Sequence, residues 1–209
     1  MQVKRNYLVG IAGNIGVGKT TLTRRLSEQL GWKAYYESVI DNPYLNDFYG
    51  DMARWSFHLQ IYFLTHRFRS QKEIMDSGQN AIQDRTIYED VEIFARSLYE
   101  QGHMNERDYS TYRELFYNMV PALQAPDIII YLRASISTLQ ERIKQRGREF
   151  EQRIKTSYLE YLNQAYERWL IEAQHQFRVL IVNADQVDFL NGDGDLEKLI
   201  HQIRKYCPS

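Results

Sequence analysis

The run Gly13-Asn14-Ile15-Gly16-Val17-Gly18-Lys19-Thr20 satisfies G-x-x-x-x-G-K-[ST] at every fixed position. In such a loop the glycines let backbone N–H groups turn inward around phosphate oxygens, and the start of the following helix, here Thr20 and Thr21, adds positive potential. Lys19 can reach the β and γ oxygens of a nucleoside triphosphate, and the Thr20 hydroxyl can ligate Mg²⁺. A nucleoside triphosphate with Mg²⁺ is the ligand this chemistry predicts. The loop fixes the donor and leaves the acceptor open, since water, proteins and small-molecule hydroxyls are all served by it. The acceptor side must rest on groups elsewhere, and two sites stand at predicted strand ends, where open α/β sheets bind ligands. One is Glu37, the other Asp84-Arg85-Thr86. Taken alone, the first is an ordinary exposed carboxylate and the second a salt-bridged turn.

Elements able to hold these residues follow from periodicity. Short strand-like runs at Tyr7 to Ala12, Lys33 to Tyr36, Asn80 to Gln83, Asp127 to Leu132 and Val179 to Val182 alternate with helical patterns. The helical stretches cover about 19–30, 54–76, 88–101, 106–122, 135–146, 155–175 and 195–206. That alternation predicts an α/β fold with a central five-stranded parallel sheet, its apolar strands buried on both faces. No linker divides the 209 residues, so one domain over 1–209 is expected. With 44% hydrophobic and 25% charged residues and a formal net charge of −1, the composition is that of a packed protein with no electrostatic excess to attract a nucleic-acid polymer or an acidic membrane. No apolar run approaches the roughly 20 residues of a membrane span. The single cysteine, Cys207, can form no internal disulfide, which together with the start MQVKRNYLVGIAG points to a cytoplasmic protein.

The segments YYESVIDNPYL, FYGDMARWSFHLQIYFLTHRFRSQK, QDRTIYED and ERIKQRGREFEQ, in this order after the phosphate loop, resemble the deoxynucleoside kinases over nearly the whole chain. RWSFHLQIYFL is most similar to the bacterial deoxyadenosine/deoxycytidine kinase branch. The resemblance implies a P-loop nucleoside kinase fold with an arginine-rich lid, and transfer of phosphate from ATP to the 5′-hydroxyl of a deoxynucleoside for nucleotide salvage. It makes Glu37 the general base, which takes the hydroxyl proton during attack on the γ-phosphorus. It makes Asp84 a holder of Mg²⁺ alongside Thr20, and Arg85 a brace for the 5′-oxygen and the transferring group. Where many relatives carry Glu-Pro-Val, this chain has Glu37-Ser38-Val39, and Asn42 stands where the animal enzymes carry tryptophan.

Gln60 and Arg67 lie seven residues apart on one predicted helix, roughly 10 Å along one face. A glutamine can give and take a hydrogen bond at once, which suits the amino group and adjacent ring nitrogen of adenine or cytosine. By resemblance, Gln60 meets the base, Arg67 and Asp90 line the far edge of its pocket, Phe94 stacks on it, and Tyr49 and Glu151 hold the sugar 3′-hydroxyl. Leu45, Phe48 and Val39 close the apolar walls. Trp55, Leu59, Tyr62 and Phe63 are assigned to packing, as an aromatic stripe at helical spacing usually is, and His58 and His66 are structural. Arg142, Arg146 and Arg148 resemble the lid, supplying cations over the phosphates, although basic residues at a helix C-terminus also complement its dipole.

Two other functions share the loop. A nucleoside monophosphate kinase of the thymidylate kinase type needs extra cations around an acceptor that already carries phosphate, where this sequence has Glu37. A P-loop ATPase switch module would turn over ATP without an acceptor, and no switch signature is evident. Aromatic and aliphatic residues circle much of 54–76 and 106–122, which together with the resemblance predicts a homodimer.

Overall fold

The computed structural model of the chain describes residues 6–37, 42–187 and 193–208. Five parallel strands form one sheet in the order β2-β3-β1-β4-β5. They are β1 Leu8–Gly13, β2 Lys33–Tyr35, β3 Ala81–Asp84, β4 Ile128–Arg133 and β5 Val179–Asn183. Each expected strand is present, with no end displaced by more than a residue.

Along β4, Ile128, Ile130 and Leu132 enter the core on one face of the sheet and Ile129 and Tyr131 the core on the other, the two-residue period of an extended chain. Helices cover both faces. On the first lie α1 Lys19–Leu30, α7 Ile136–Arg146 and α9 Asp193–Tyr206, through Leu22, Leu26, Leu139, Leu196 and Ile203. On the second lie α2 Leu45–Gly50, α3 Met52–Ser77 and α8 Thr156–Gln176, through Phe48, Leu59, Leu162 and Trp169. Each fully buried Leu or Ile contributes about 2 kcal/mol. Double coverage explains why β1, β3 and β4 are almost wholly buried, as expected. It fails for β5, an edge strand whose Ile181 is 43% exposed, so its apolar sequence reflects a partly covered strand.

Helix ends follow local chemistry. α1 stops at Gly31, left-handed at φ 67°, whose N–H returns to the Ser27 carbonyl. α3 begins two residues before its expected start because the Asp51 side chain accepts from the Arg54 N–H. α2, six residues just before it, is too short to show a helical period in the sequence.

The expected helix 88–101 is composite: α4 Ile87–Glu89, a π-helical segment Asp90–Ala95 and α5 Arg96–Glu100. α6 is Glu106–Met119, and the expected helix to 122 ends as a 3₁₀ turn, Val120–Ala122, at Pro121. Among the described residues, no helix is long and apolar enough to cross a membrane.

The chain leaves β1 toward β2 and leaves β3 toward β4, on opposite sides of the adjacent pair β1 and β3. The crevice beyond their carboxyl ends is thus the point where winding reverses, and parallel sheets bind ligands there.

Candidate active site

β1 ends at Gly13, and residues 14–18 wrap the crevice before α1 starts at Lys19. Gly16 has φ 83°, and a Cβ on it would stand 2.9 Å from the Leu139 carbonyl oxygen of α7, so only glycine lets the loop pack on that helix unstrained. Ile15, Gly16, Val17, Gly18, Lys19, Thr20 and Thr21 line a cavity of about 690 Å³. Gly13 and Asn14 stand behind it. The Asn14 amide does not turn toward the phosphate space but donates to the Leu159 carbonyl (2.9 Å) and Asn163 Oδ1 (2.7 Å), fastening the loop to α8. Lys19, 7% exposed, donates to the Gly13 and Asn14 carbonyls at 2.9 and 3.0 Å. Burial and the nearby Arg85 pull its ammonium down to about 8.

The Thr20 hydroxyl donates to Asp84 Oδ2 at 2.5 Å, while Asp84 Oδ1 is buried with no hydrogen-bond partner. Burial raises the Asp84 carboxyl. A hydroxyl and a carboxylate with an unused oxygen fit Mg²⁺, which takes one or two protein oxygens and completes its shell with water and phosphate. Among the described residues, no group of three or more His, Cys, Asp or Glu side chains could hold a metal ion, so such a cation would depend on the triphosphate.

Arg85, just past β3, has φ 72° and is the sole non-glycine residue with positive φ among those described. Its Nε donates to Glu37 Oε1 at 2.9 Å, and its guanidinium lies 4.4 Å from the centre of the Phe94 ring. Arg67 donates from Nη2 to the same Glu37 oxygen at 2.8 Å and from Nε to Asp90 Oδ2 at 2.7 Å. Glu37 Oε2 takes part in neither bond to these arginines. Burial pushes the Glu37 carboxyl up, but Arg85, Arg67 and Lys19 outweigh it and hold it at about 2. For Asp90 burial, aided by the nearby Glu37 charge, wins over Arg67 and Arg85, and the carboxyl rises to about 6. One arginine thus joins two carboxylates whose acidities are driven apart by their other neighbours.

Arg67 itself was expected at the pocket edge. It is instead 5% exposed and stands behind the main cavity wall, bridging Glu37 and Asp90. Asp90, Gln60, Phe94, Tyr49, Glu151, Leu45 and Phe48 do line the cavity. Gln60 Oε1 is buried without a partner, an acceptor left for a ligand. Asp90 and Phe94 share the wall through the π-helical segment, not through the α-helical spacing expected for them. Leu59 and Phe63, expected to be packing residues, also line the cavity. Trp55 and Tyr62 do pack, both against Tyr44, and His66 stacks on Tyr62. Ser38 and Val39 lie outside the described residues.

The three arginines expected over the phosphates are engaged differently. Arg142 donates to the Val17 and Ala184 carbonyls at 2.7 and 2.8 Å, holding backbone from the cavity wall. Arg146 pairs with Glu151 Oε2 at 2.6 Å and Arg148 with Oε1 at 3.3 Å. Glu151, 3% exposed, therefore holds two cations at the cavity wall, and Tyr49 stacks on the neighbouring Phe150.

Sequence reasoning missed Glu89, Phe150, Tyr158 and Tyr166. Phe150 and Tyr158 line the cavity, while Glu89 and Tyr166 lie behind Arg85. Glu89 had a legible signal: Thr86-Ile87-Tyr88-Glu89 is a capping-box pattern, and both of its reciprocal bonds are present. Tyr166 is one aromatic among many in α8 and had none.

The deoxynucleoside kinase family model matches residues 9–208. The deoxyadenosine/deoxycytidine kinase of Bacillus subtilis (strain 168) is 44% identical over 203 residues, covering 96% of this chain and 93% of the relative. The deoxyadenosine kinase of Dictyostelium discoideum is 43% identical over 175 residues, covering 84% and 71%. Among solved structures, deoxyadenosine kinase from M. mycoides with products dCMP and a flexible dCDP bound gives a TM-score of 0.85 at 35% identity, covering 95% of this chain and 99% of that one. The same enzyme with bound dATP gives 0.82 at 35% identity, covering 95% and 100%. Because sequence and backbone agree over nearly the full length of both partners, this ATP-dependent phosphotransferase belongs to the deoxynucleoside kinase family.

Proposed function

We propose that the chain transfers the γ-phosphoryl group of ATP to the 5′-hydroxyl of deoxyadenosine and deoxycytidine, acting in cytoplasmic nucleotide salvage as a homodimer of single-domain subunits. The observation that carries the chemistry is Glu37. One of its oxygens is pinned by Arg67 and Arg85 at 2.8 and 2.9 Å, on the wall of a cavity whose other end is the phosphate loop. A 5′-hydroxyl bonded to Oε2 would be oriented toward the γ-phosphorus and would pass its proton to that oxygen as the P–O bond forms. Arg85 faces the developing negative charge, and Lys19 holds the β and γ oxygens once it exchanges the Gly13 and Asn14 carbonyls for phosphate. Thr20 and Asp84 would hold Mg²⁺, which when bound neutralises phosphate charge. Arg146 and Arg148 stand where release from Glu151 would bring them to the donor phosphates, freeing that carboxylate and Tyr49 for the sugar 3′-hydroxyl.

Gln60 and Asp90 supply the base preference: both can accept from an exocyclic amine, and Gln60 can also donate to a ring nitrogen. Phe94 supplies the stacking face. The named relatives and the nucleotides bound by the M. mycoides enzyme support the same assignment. Incubation with ATP and Mg²⁺ should give kcat/KM at least about tenfold higher for deoxyadenosine and deoxycytidine than for thymidine. Chromatography of the products tests this; conversion of 5′-monophosphates alone, or equal ATP hydrolysis without acceptor, would sink the assignment.

A family match spanning residues 9–208 supports one domain. Cys207, the single cysteine of the sequence, is buried, which suits a reducing cytoplasm. Leu115 and Tyr117, 40% and 49% exposed on α6, support pairing of two chains through this helix. Sedimentation should return the mass of two chains, and a single-chain mass for the concentrated protein would exclude the dimer.

A further inference from the structure

Glu89 and Tyr166 are buried polar groups that the proposed reaction does not use. Glu89 is 0% exposed, and a buried carboxyl is tolerated only when its bonding capacity is filled. The capping box at the start of α4 accounts for Oε2 alone, which accepts from the Thr86 N–H (2.7 Å) and hydroxyl (3.1 Å). Oε1 faces the other way and accepts from the Gly13 N–H (3.1 Å), Arg85 Nη1 (3.1 Å) and the Tyr166 hydroxyl (2.6 Å). The Tyr166 hydroxyl also accepts from Arg85 Nη1 at 2.8 Å and lies 2.9 Å from the Gly13 carbonyl. That same carbonyl receives Lys19. A helix cap needs none of these additional contacts. They converge on one guanidinium, held by Glu37 through Nε and by Glu89 and Tyr166 through Nη1, and on the peptide group that carries the loop lysine.

We propose that Glu89 and Tyr166 are positioning residues, which set the Arg85 guanidinium and, through Gly13, the Lys19 ammonium for phosphoryl transfer without touching either substrate. The inference rests on the roles proposed above for Arg85 and Lys19. Tyr166→Phe is the cleanest test, because the ring keeps its stack on Tyr131 and its edge contact with Trp169 while only the hydroxyl is lost. This variant should lose about tenfold in kcat, and Glu89→Gln about a hundredfold, with KM for ATP and deoxynucleoside within about twofold, since misplacement by an ångström or less costs rate before affinity. In an Arg85→Ala background, Tyr166→Phe should cost no more than about threefold further.

Unchanged kcat in Tyr166→Phe and Glu89→Gln, alongside a large loss in Arg85→Ala, would overturn the positioning role and leave Arg85 intact. Losses that simply multiply, or a lowered unfolding temperature with kcat unaltered, would assign the pair to folding alone and overturn it as well. Full activity in Arg85→Ala would instead remove the mechanism on which the inference stands.

Discussion

Glu37→Gln should lower kcat about 10³-fold while deoxynucleoside still binds, because the amide keeps the shape and one acceptor oxygen but has neither the charge nor the basicity to take a proton. A carboxyl held at about 2 is a weak base, and the character of the transition state reconciles that with its role. Phosphoryl transfer is largely dissociative: bond breaking to the leaving group runs ahead of bond making, so the attacking hydroxyl becomes strongly acidic only late. What the reaction needs earlier is a fixed acceptor that orients the hydroxyl, and two arginines fix Glu37 at 2.8 and 2.9 Å.

The lowered pKa also has a stability consequence. Depressed from 4.5 to about 2, the Glu37 carboxyl contributes about 3 kcal/mol at neutral pH, fully present above pH 4.5 and lost as pH falls toward 2. The variant is therefore expected to be less stable, and kcat must be taken well below its unfolding temperature, beside calorimetric binding of the deoxynucleoside. A folded Glu37→Gln protein that retains kcat within tenfold would remove Glu37 from the chemistry.

The phosphate loop could be read in the sequence because its function is carried by backbone, and backbone conformation is written in glycines at fixed intervals. Gly13 and Gly18, the two glycines that the pattern fixes, both have positive φ angles. Strands β1 and β4 were equally legible, since burial on both faces leaves an uninterrupted apolar run. The acceptor side was not readable in this way. Glu37 and Arg85 are 48 positions apart in sequence and meet because the sheet order brings β2 beside β3; Arg67 and Asp90, 23 apart, meet because α3 packs against the π-helical segment. Their significance came from resemblance, not from periodicity. Where the geometry departs from what the sequence suggested, the reasons are physical. Arg67 and Gln60 share a helix face, but an arginine long enough to bridge Glu37 and Asp90 can work from behind the wall that Gln60 lines. The π-helical segment leaves no compositional mark, and a lid arginine is indistinguishable in sequence from one that, like Arg142, holds backbone carbonyls.

Lys19→Met should abolish activity and stabilise the nucleotide-free protein at the same time. Phosphate oxygens lose their principal protein cation, for which a loss in kcat/KM of about 10³-fold is expected. Stability moves the opposite way because Lys19 is a buried cation whose carbonyl partners and nearby carboxylates do not repay its lost hydration. Its folded-state pKa is about 8 against 10.5 in the open chain, so below pH 8 the charged form costs the fold about 3 kcal/mol. Between pH 8 and 10.5 the unfolded chain binds the additional proton, and the stability of the native sequence must therefore rise with pH across that window. Methionine has a similar unbranched length and no charge. Denaturant unfolding at pH 7 should place the variant up to about 3 kcal/mol above the native protein, with Asp84, Glu37 and Glu89 reducing the gain because each loses a nearby positive charge. The rise above pH 8 should also flatten. A variant that is inactive and less stable, with the pH dependence unchanged, would show Lys19 to be an ordinary structural cation. Gain in stability with loss of turnover would instead identify it as a charge kept buried at the fold's expense, ready to be neutralised when the triphosphate arrives.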